Sequence, residues 1–144
     1  MEMIYLPKIE REIEINAPIK RVYEIINDFP NMPKWNVNAN EVIIIEPRKK
    51  GIIKAKFGEM TGTVIENIEN EKLSLAFEGI PLFNSLGYIF IPKGDITIVK
   101  AWVEFEKAEQ KQIVSMAGER NLNSLKKYAE YLEAGGNPDE YKKK

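Results

Sequence analysis

The sequence predicts an α+β fold, a seven-stranded antiparallel sheet curved around one long C-terminal helix, with two short helices between the first and second strands. Three observations predict it. Seven short segments read as strands, the first with a clear period-two alternation, the connectors between the last six are short and carry Gly, Pro, Asn or Asp, and a helical period takes over near the C-terminus.

The first strand is IEREIEI, residues 9–15. Alternation places Ile9, Arg11, Ile13 and Ile15 on one face and Glu10, Glu12 and Glu14 on the other, so a permanent charge is grouped with isoleucines. Such a guanidinium needs a buried carboxylate, a strand edge from which to reach water, or a wet cavity. Next comes NAPIKRVYEIINDFP, where Pro18 suits the first turn of a helix, Val22, Ile26 and Phe29 share a face, and Pro30 ends it. FPNMPKWN, bracketed by Pro30 and Pro33, has room for about a turn and a half of helix.

Residues 39–107 read as strands and tight turns: NEVIIIE, GIIKAKFG, TGTVIENI, KLSLAFEGI, GYIFIP and DITIVKAWVEFEK. The connectors PRKKG, GEM, NENE and PKGD are short enough for hairpins, which implies an antiparallel meander. From about residue 109 to 134, Val114, Gly118, Leu122, Leu125, Ala129 and Leu132 recur at helical spacing before the stop signal GGNP. A helix of about 25 residues is about 37 Å long, enough to cross a small sheet and to cover its apolar face. The tail, residues 137–144, is expected to fray into solvent.

At 144 residues the chain is expected to form one domain, with enough core to spare for a cavity. Lys plus Arg (21) nearly cancel Asp plus Glu (22), which argues against a nucleic-acid-binding face. There is no cysteine and no histidine, which removes disulfides, thiolate nucleophiles, most metal sites and the usual general base near neutral pH; no metal or cofactor is expected. MEMIYLPK has no basic stretch leading into an apolar run, and no apolar run approaches 18 residues, so the expectation is a cytoplasmic protein without an integral membrane segment. Abundant Ile, Lys and Glu fit a heat-adapted source.

The stretch IEINAPIKRVYEIINDFPNMPKWN resembles the START/Bet v 1-like superfamily, also called SRPBCC or polyketide cyclase/dehydrase-like: an apolar strand, Ala-Pro, a Val-aromatic pair on a helix, Asp-Phe, then Pro-x-Trp. GTVIENIENEKLSLAFEG, similar to the family's central hairpin, and the long last helix extend the resemblance over nearly the whole chain. The resemblance implies a helix-grip fold with a hydrophobic pocket between sheet and helix. Members bind lipids, sterols, polyketides, plant hormones or flavonoids, and a minority catalyse cyclisation or dehydration. Cyclase-like members commonly use cavity His, Asp, Arg or Tyr residues, and this chain has no histidine to offer. The leading expectation is a carrier or sensor of a hydrophobic small molecule. A cyclase or dehydratase on a polyketide-like substrate and an accessory interaction subunit with a filled groove are the alternatives.

The candidate ligand-binding set is Arg11, Phe57, Phe77, Tyr88, Phe90 and Val103 from the sheet and Gly118, Asn121 and Leu125 from the helix. Arg11 suits a carboxylate or phosphate, and Glu119 or Asn121 would be its partner if it is structural instead. Gly118, costly inside a helix, either relieves a close approach or leaves room for a ligand. Ile80, Leu82 and Phe83, flanked by glycines and Pro81, are a candidate lid. Trp35 is expected to be structural or at the cavity rim. Trp102, in phase with Lys100 and Glu104, is expected on the outer face, where it offers a contact to a second copy in a homodimer. Glu59, Glu66 and Glu78 fall near the expected cavity ends without forming an acid/base pair.

Overall fold

A computed structural model describes residues 7–79 and 83–143. The strands are β1 (Lys8–Ile15), β2 (Ala39–Glu46), β3 (Lys50–Ala55), β4 (Gly58–Ile68), β5 (Lys72–Gly79), β6 (Ser85–Lys93) and β7 (Ile96–Glu104). They form one antiparallel sheet in the order β1-β7-β6-β5-β4-β3-β2. Helix α1 (Ile19–Asn27) and a 3-10 helix, Phe29–Lys34, separate β1 from β2, and α2 (Lys111–Glu133) follows β7. Among the described residues no helix is long and apolar enough to cross a membrane.

Two boundaries differ from the sequence expectation. GEM belongs to β4 rather than to a connector: the β3–β4 hairpin closes through a two-residue turn at Lys56 and Phe57, with Ala55 opposite Gly58. Alternation continues through this stretch and turns Met60 inward, where it is buried. Helix α2 starts at Lys111, after a short 3-10 turn at Ala108–Gln110.

Period-two alternation gives the sheet two unlike faces. On β1 the three glutamates are exposed while Ile15 is fully buried, and Val99 and Phe105 mark the same inward phase at the β7 side. Thr97, the buried polar residue of β7, donates its hydroxyl to the Ala17 carbonyl at 2.8 Å and so fixes the start of α1 against the sheet. Helix α1 buries Val22, Ile25 and Ile26. Together with Ile15, Phe90, Val99, Leu125, Tyr128 and Ala129 they make a continuous core under the C-terminal half of α2.

Most of the tail is exposed, but two of its side chains dock on the fold. The Tyr141 ring lies 4.8 Å from Tyr128 and 4.9 Å from Tyr131, and the Lys143 ammonium donates to the carbonyls of Asn36 (2.9 Å) and Ala39 (2.7 Å). The aromatic rings on the last turns of α2 give the tail an apolar seat, and burial there lowers the Lys143 pKa, with Lys56 acting in the same direction. On the outer face Trp102 lies across Gly87, opposite it in the β6–β7 register: a Cβ at position 87 would come within 2.3 Å of the indole. Lys8 covers the ring at 5.3 Å. Trp102 is therefore half-buried between its neighbours on that face.

Candidate ligand cavity

Under the N-terminal half of α2 the groove is hollow. The cavity offers about 100 Å³ to the centres of water-sized molecules, several times the space one water needs. Its roof is Val114, Ala117, Gly118, Asn121 and Leu122 of α2, one side of the helix at spacings of three and four. Its floor is the inward phase of the strands, including Met60, Leu73, Leu75, Phe77, Leu86, Tyr88, Ala101 and Val103. Phe29, Met32 and Trp35, from the turn after α1, close the side next to the core. A smaller cleft bordered by Val42, Val64, Lys49 and Lys50 shares the walls Phe29, Met32, Ile53 and Leu75 with it.

Small side chains make the space. Ala39, Ala55, Ala101, Ala117 and Gly118 all line the cavity, and a Cβ built on Gly118 would meet nothing within 4 Å. Gly118 thus stands over open space rather than at a close approach.

Aromatic rings gather at one part of the lining. Phe83 packs edge-on against Phe57 (6.1 Å) and Phe77 (5.0 Å), which brings together the β3–β4 turn, β5 and the connection from β5 to β6. Of the expected lid, Phe83 lines the cavity, while Ile80 and Leu82 lie outside the described residues.

Polar groups are few and uncharged. Tyr88 is buried, and burial pushes its phenol up to about 12 against the opposing influence of the Asn121 side chain beside it. The Asn121 Oδ1 is buried without a hydrogen-bond partner. Trp35, 3% exposed, likewise has its indole Nε1–H unpaired. Its backbone is held firmly, since the Ser124 hydroxyl on α2 donates to the Trp35 carbonyl. Among the described residues no Asp, Glu, Lys or Arg lines the cavity, and Glu59, Glu66 and Glu78 stay outside it.

The structure therefore brings Phe57, Phe77, Tyr88, Val103, Gly118 and Asn121 together at one cavity, and leaves three other candidates apart. Phe90 and Leu125 continue the same strand phase and helix stripe one step further, into the core filled by α1. Arg11 points toward α2 from the sheet edge: its guanidinium donates to the Ser115 hydroxyl and stands 3.8 Å from the Glu119 carboxylate. Its facing among isoleucines is explained by a clamp between β1 and α2, and the pair is too exposed to contribute much Coulomb energy. Trp35 lines the cavity with its donor unpaired, beyond the structural or rim role expected of it; Ala101 and Ala117 lie outside the candidate set because apolar patterning weighs large residues, although both sit in phase with singled-out neighbours.

An antiparallel sheet gripping a C-terminal helix above a mostly apolar cavity is the helix-grip architecture. Residues 7–130 match the family described as polyketide cyclase/dehydrase and lipid transport, and the chain belongs to that family. No curated protein sequence matches the chain. Among solved structures it is similar to a START superfamily protein from Mycobacterium smegmatis, at 17% identity and a TM-score of 0.78, over 87% of this chain and 98% of that one. It is also similar to the Zhui aromatase/cyclase from Streptomyces sp. R1128 (16% identity, TM-score 0.75, 92% and 100% covered) and to the protein XoxI from Bacillus cereus (11%, 0.74, 88% and 97%). At these identities the likeness is one of fold.

Proposed function

We propose that this protein binds an uncharged hydrophobic small molecule between the sheet and α2, as a carrier or sensor rather than a catalyst. The observation that carries this reading is the lining: an open, mostly apolar space in which, among the described residues, Tyr88 is the one titratable side chain. With its pKa near 12 that phenol keeps its proton at neutral pH, so it can donate a hydrogen bond but cannot serve as a base. Affinity would come from ligand surface removed from water, at about 25 cal/mol per Å². A carboxylate or phosphate would lose its hydration on entering and find no cation there, which separates this reading from an anion anchored on Arg11. The family description and the similar aromatase/cyclase keep the class of hydrophobic ligands broad, polyketide-like and lipid molecules included.

Titration with N-phenyl-1-naphthylamine, a neutral probe whose fluorescence rises in apolar surroundings, tests the reading. One probe per chain is expected, and Gly118→Leu, which puts a side chain into the space over Gly118, should abolish the signal while the variant stays folded. No saturable signal, or one untouched by Gly118→Leu, would overturn it.

A further inference from the structure

Six side-chain atoms in the described chain are buried without a hydrogen-bond partner, and two of them belong to cavity-lining residues: Trp35 Nε1 and Asn121 Oδ1. One is a donor that cannot accept, the other an acceptor that cannot donate. Trp35 is almost wholly buried and its carbonyl is held by Ser124, while the Asn121 side chain stands beside Tyr88. Ser124 follows Asn121 by three residues on α2, about 4.5 Å of helix rise, so the element carrying Asn121 also ties down Trp35. The Tyr88 hydroxyl adds a third group, a rotatable donor beside Asn121.

Resting on the binding reading above, we propose that this trio recognises a neutral hydroxyl at the polar end of the ligand, an alcohol or phenol. A hydroxyl oxygen has one proton and two lone pairs, which is the complement of one acceptor and two donors. It donates to Asn121 Oδ1 and accepts from Trp35 Nε1–H and the Tyr88 hydroxyl. A ketone or ether leaves the Asn121 oxygen unpaired. A carboxylate also has no proton to give it, and brings a charge into a cavity whose described lining holds no cation. Discrimination of this kind is steep because the group left unpaired is buried.

Calorimetric titration at neutral pH with naphthalene, 1-naphthol, 1-methoxynaphthalene and 1-naphthoate tests the assignment on a common ring. Wild-type protein should bind 1-naphthol about tenfold or more tighter than naphthalene or 1-methoxynaphthalene, one hydrogen bond's worth of affinity, and 1-naphthoate more weakly than 1-naphthol. Asn121→Leu and Trp35→Phe should each bring the naphthol-to-naphthalene ratio to about threefold or less, with naphthalene affinity changed little. If one variant does not fold, the other decides. A ratio near one in the wild type, an unchanged ratio in the folded variants, or naphthoate as the tightest ligand overturns the hydroxyl assignment while the cavity reading stands. Absence of binding by all four compounds overturns both.

Discussion

The two ends of the groove beneath α2 are built from the same strands and the same helix, yet one is solid and the other hollow. Under the C-terminal half, Leu125, Tyr128 and Ala129 meet Ile15, Phe90 and Val99, and α1 adds Val22, Ile25 and Ile26 from the side. Under the N-terminal half the corresponding positions carry Gly118 and Ala117 on the helix and Ala101 on β7, and α1 reaches the lining with Ile26 of its last turn, while Val22 and Ile25 stay in the core. Periodicity is equal in the two regions and side-chain volume is not. In this fold a cavity is made by removing methylenes from an otherwise regular pattern, with the filled end holding the frame that keeps the empty end open.

The largest break in that contrast should come from hollowing the solid end. Leu125→Ala is expected to cost about 3 kcal/mol in denaturant-induced unfolding, because a fully buried leucine leaves a cavity its rigid neighbours cannot refill. A loss well under about 1 kcal/mol would mean the filled end is as loosely packed as the open one.

The next effect belongs to the cavity's buried phenol. Tyr88 has its pKa raised from 10.0 to about 12, so at high pH the folded chain holds a proton that the unfolded chain has lost. The stability this lends is complete below pH 10 and drains away as the pH rises toward 12, at about 1.4 kcal/mol per unit of pKa difference. Tyr88→Phe should therefore show a shallower fall in unfolding free energy from about pH 9 to 11.5 than wild type. It should not flatten it, since Tyr23, Tyr128 and Tyr141 are also shifted upward by burial. Equal slopes would place the Tyr88 hydroxyl in contact with bulk water.

The smallest effect sharpens the comparison from the open end. Gly118→Ala adds a methyl where nothing lies within 4 Å, so it should stabilise α2 by up to about 1 kcal/mol through helix propensity alone. Destabilisation in thermal unfolding would show that the space over Gly118 is closed.

Much of the frame was legible from alternation and helical spacing. The inward phases of β1 and β7, the α1 face with Val22 and Ile26, and the long cover helix all follow from the positions of apolar residues. The site was legible only in part. Gly118 and Asn121 stood out as breaks in the helical pattern and Tyr88 as a hydroxyl in phase with Phe90, whereas Ala101 and Ala117 look unremarkable in a sequence although their small size opens the space. Phe90 and Leu125 were indistinguishable from cavity residues because position along the groove, not phase, separates core from cavity. Arg11 posed the right question, and its answer lay across the fold in Ser115 and Glu119, more than a hundred residues away. The docking of Tyr141 and Lys143 depended on an aromatic seat and on carbonyls that only the folded chain presents.

Xenon separates a hollow end from a solid one most directly, because it enters dry apolar space and little else. Crystals of the wild type pressurised with xenon should show density beside Gly118 and Ala117 and none against Leu125 and Phe90, and Gly118→Leu should remove it. Xenon among the core side chains around Leu125, or none beside Gly118, would contradict the division of the groove into a filled frame and an open binding end.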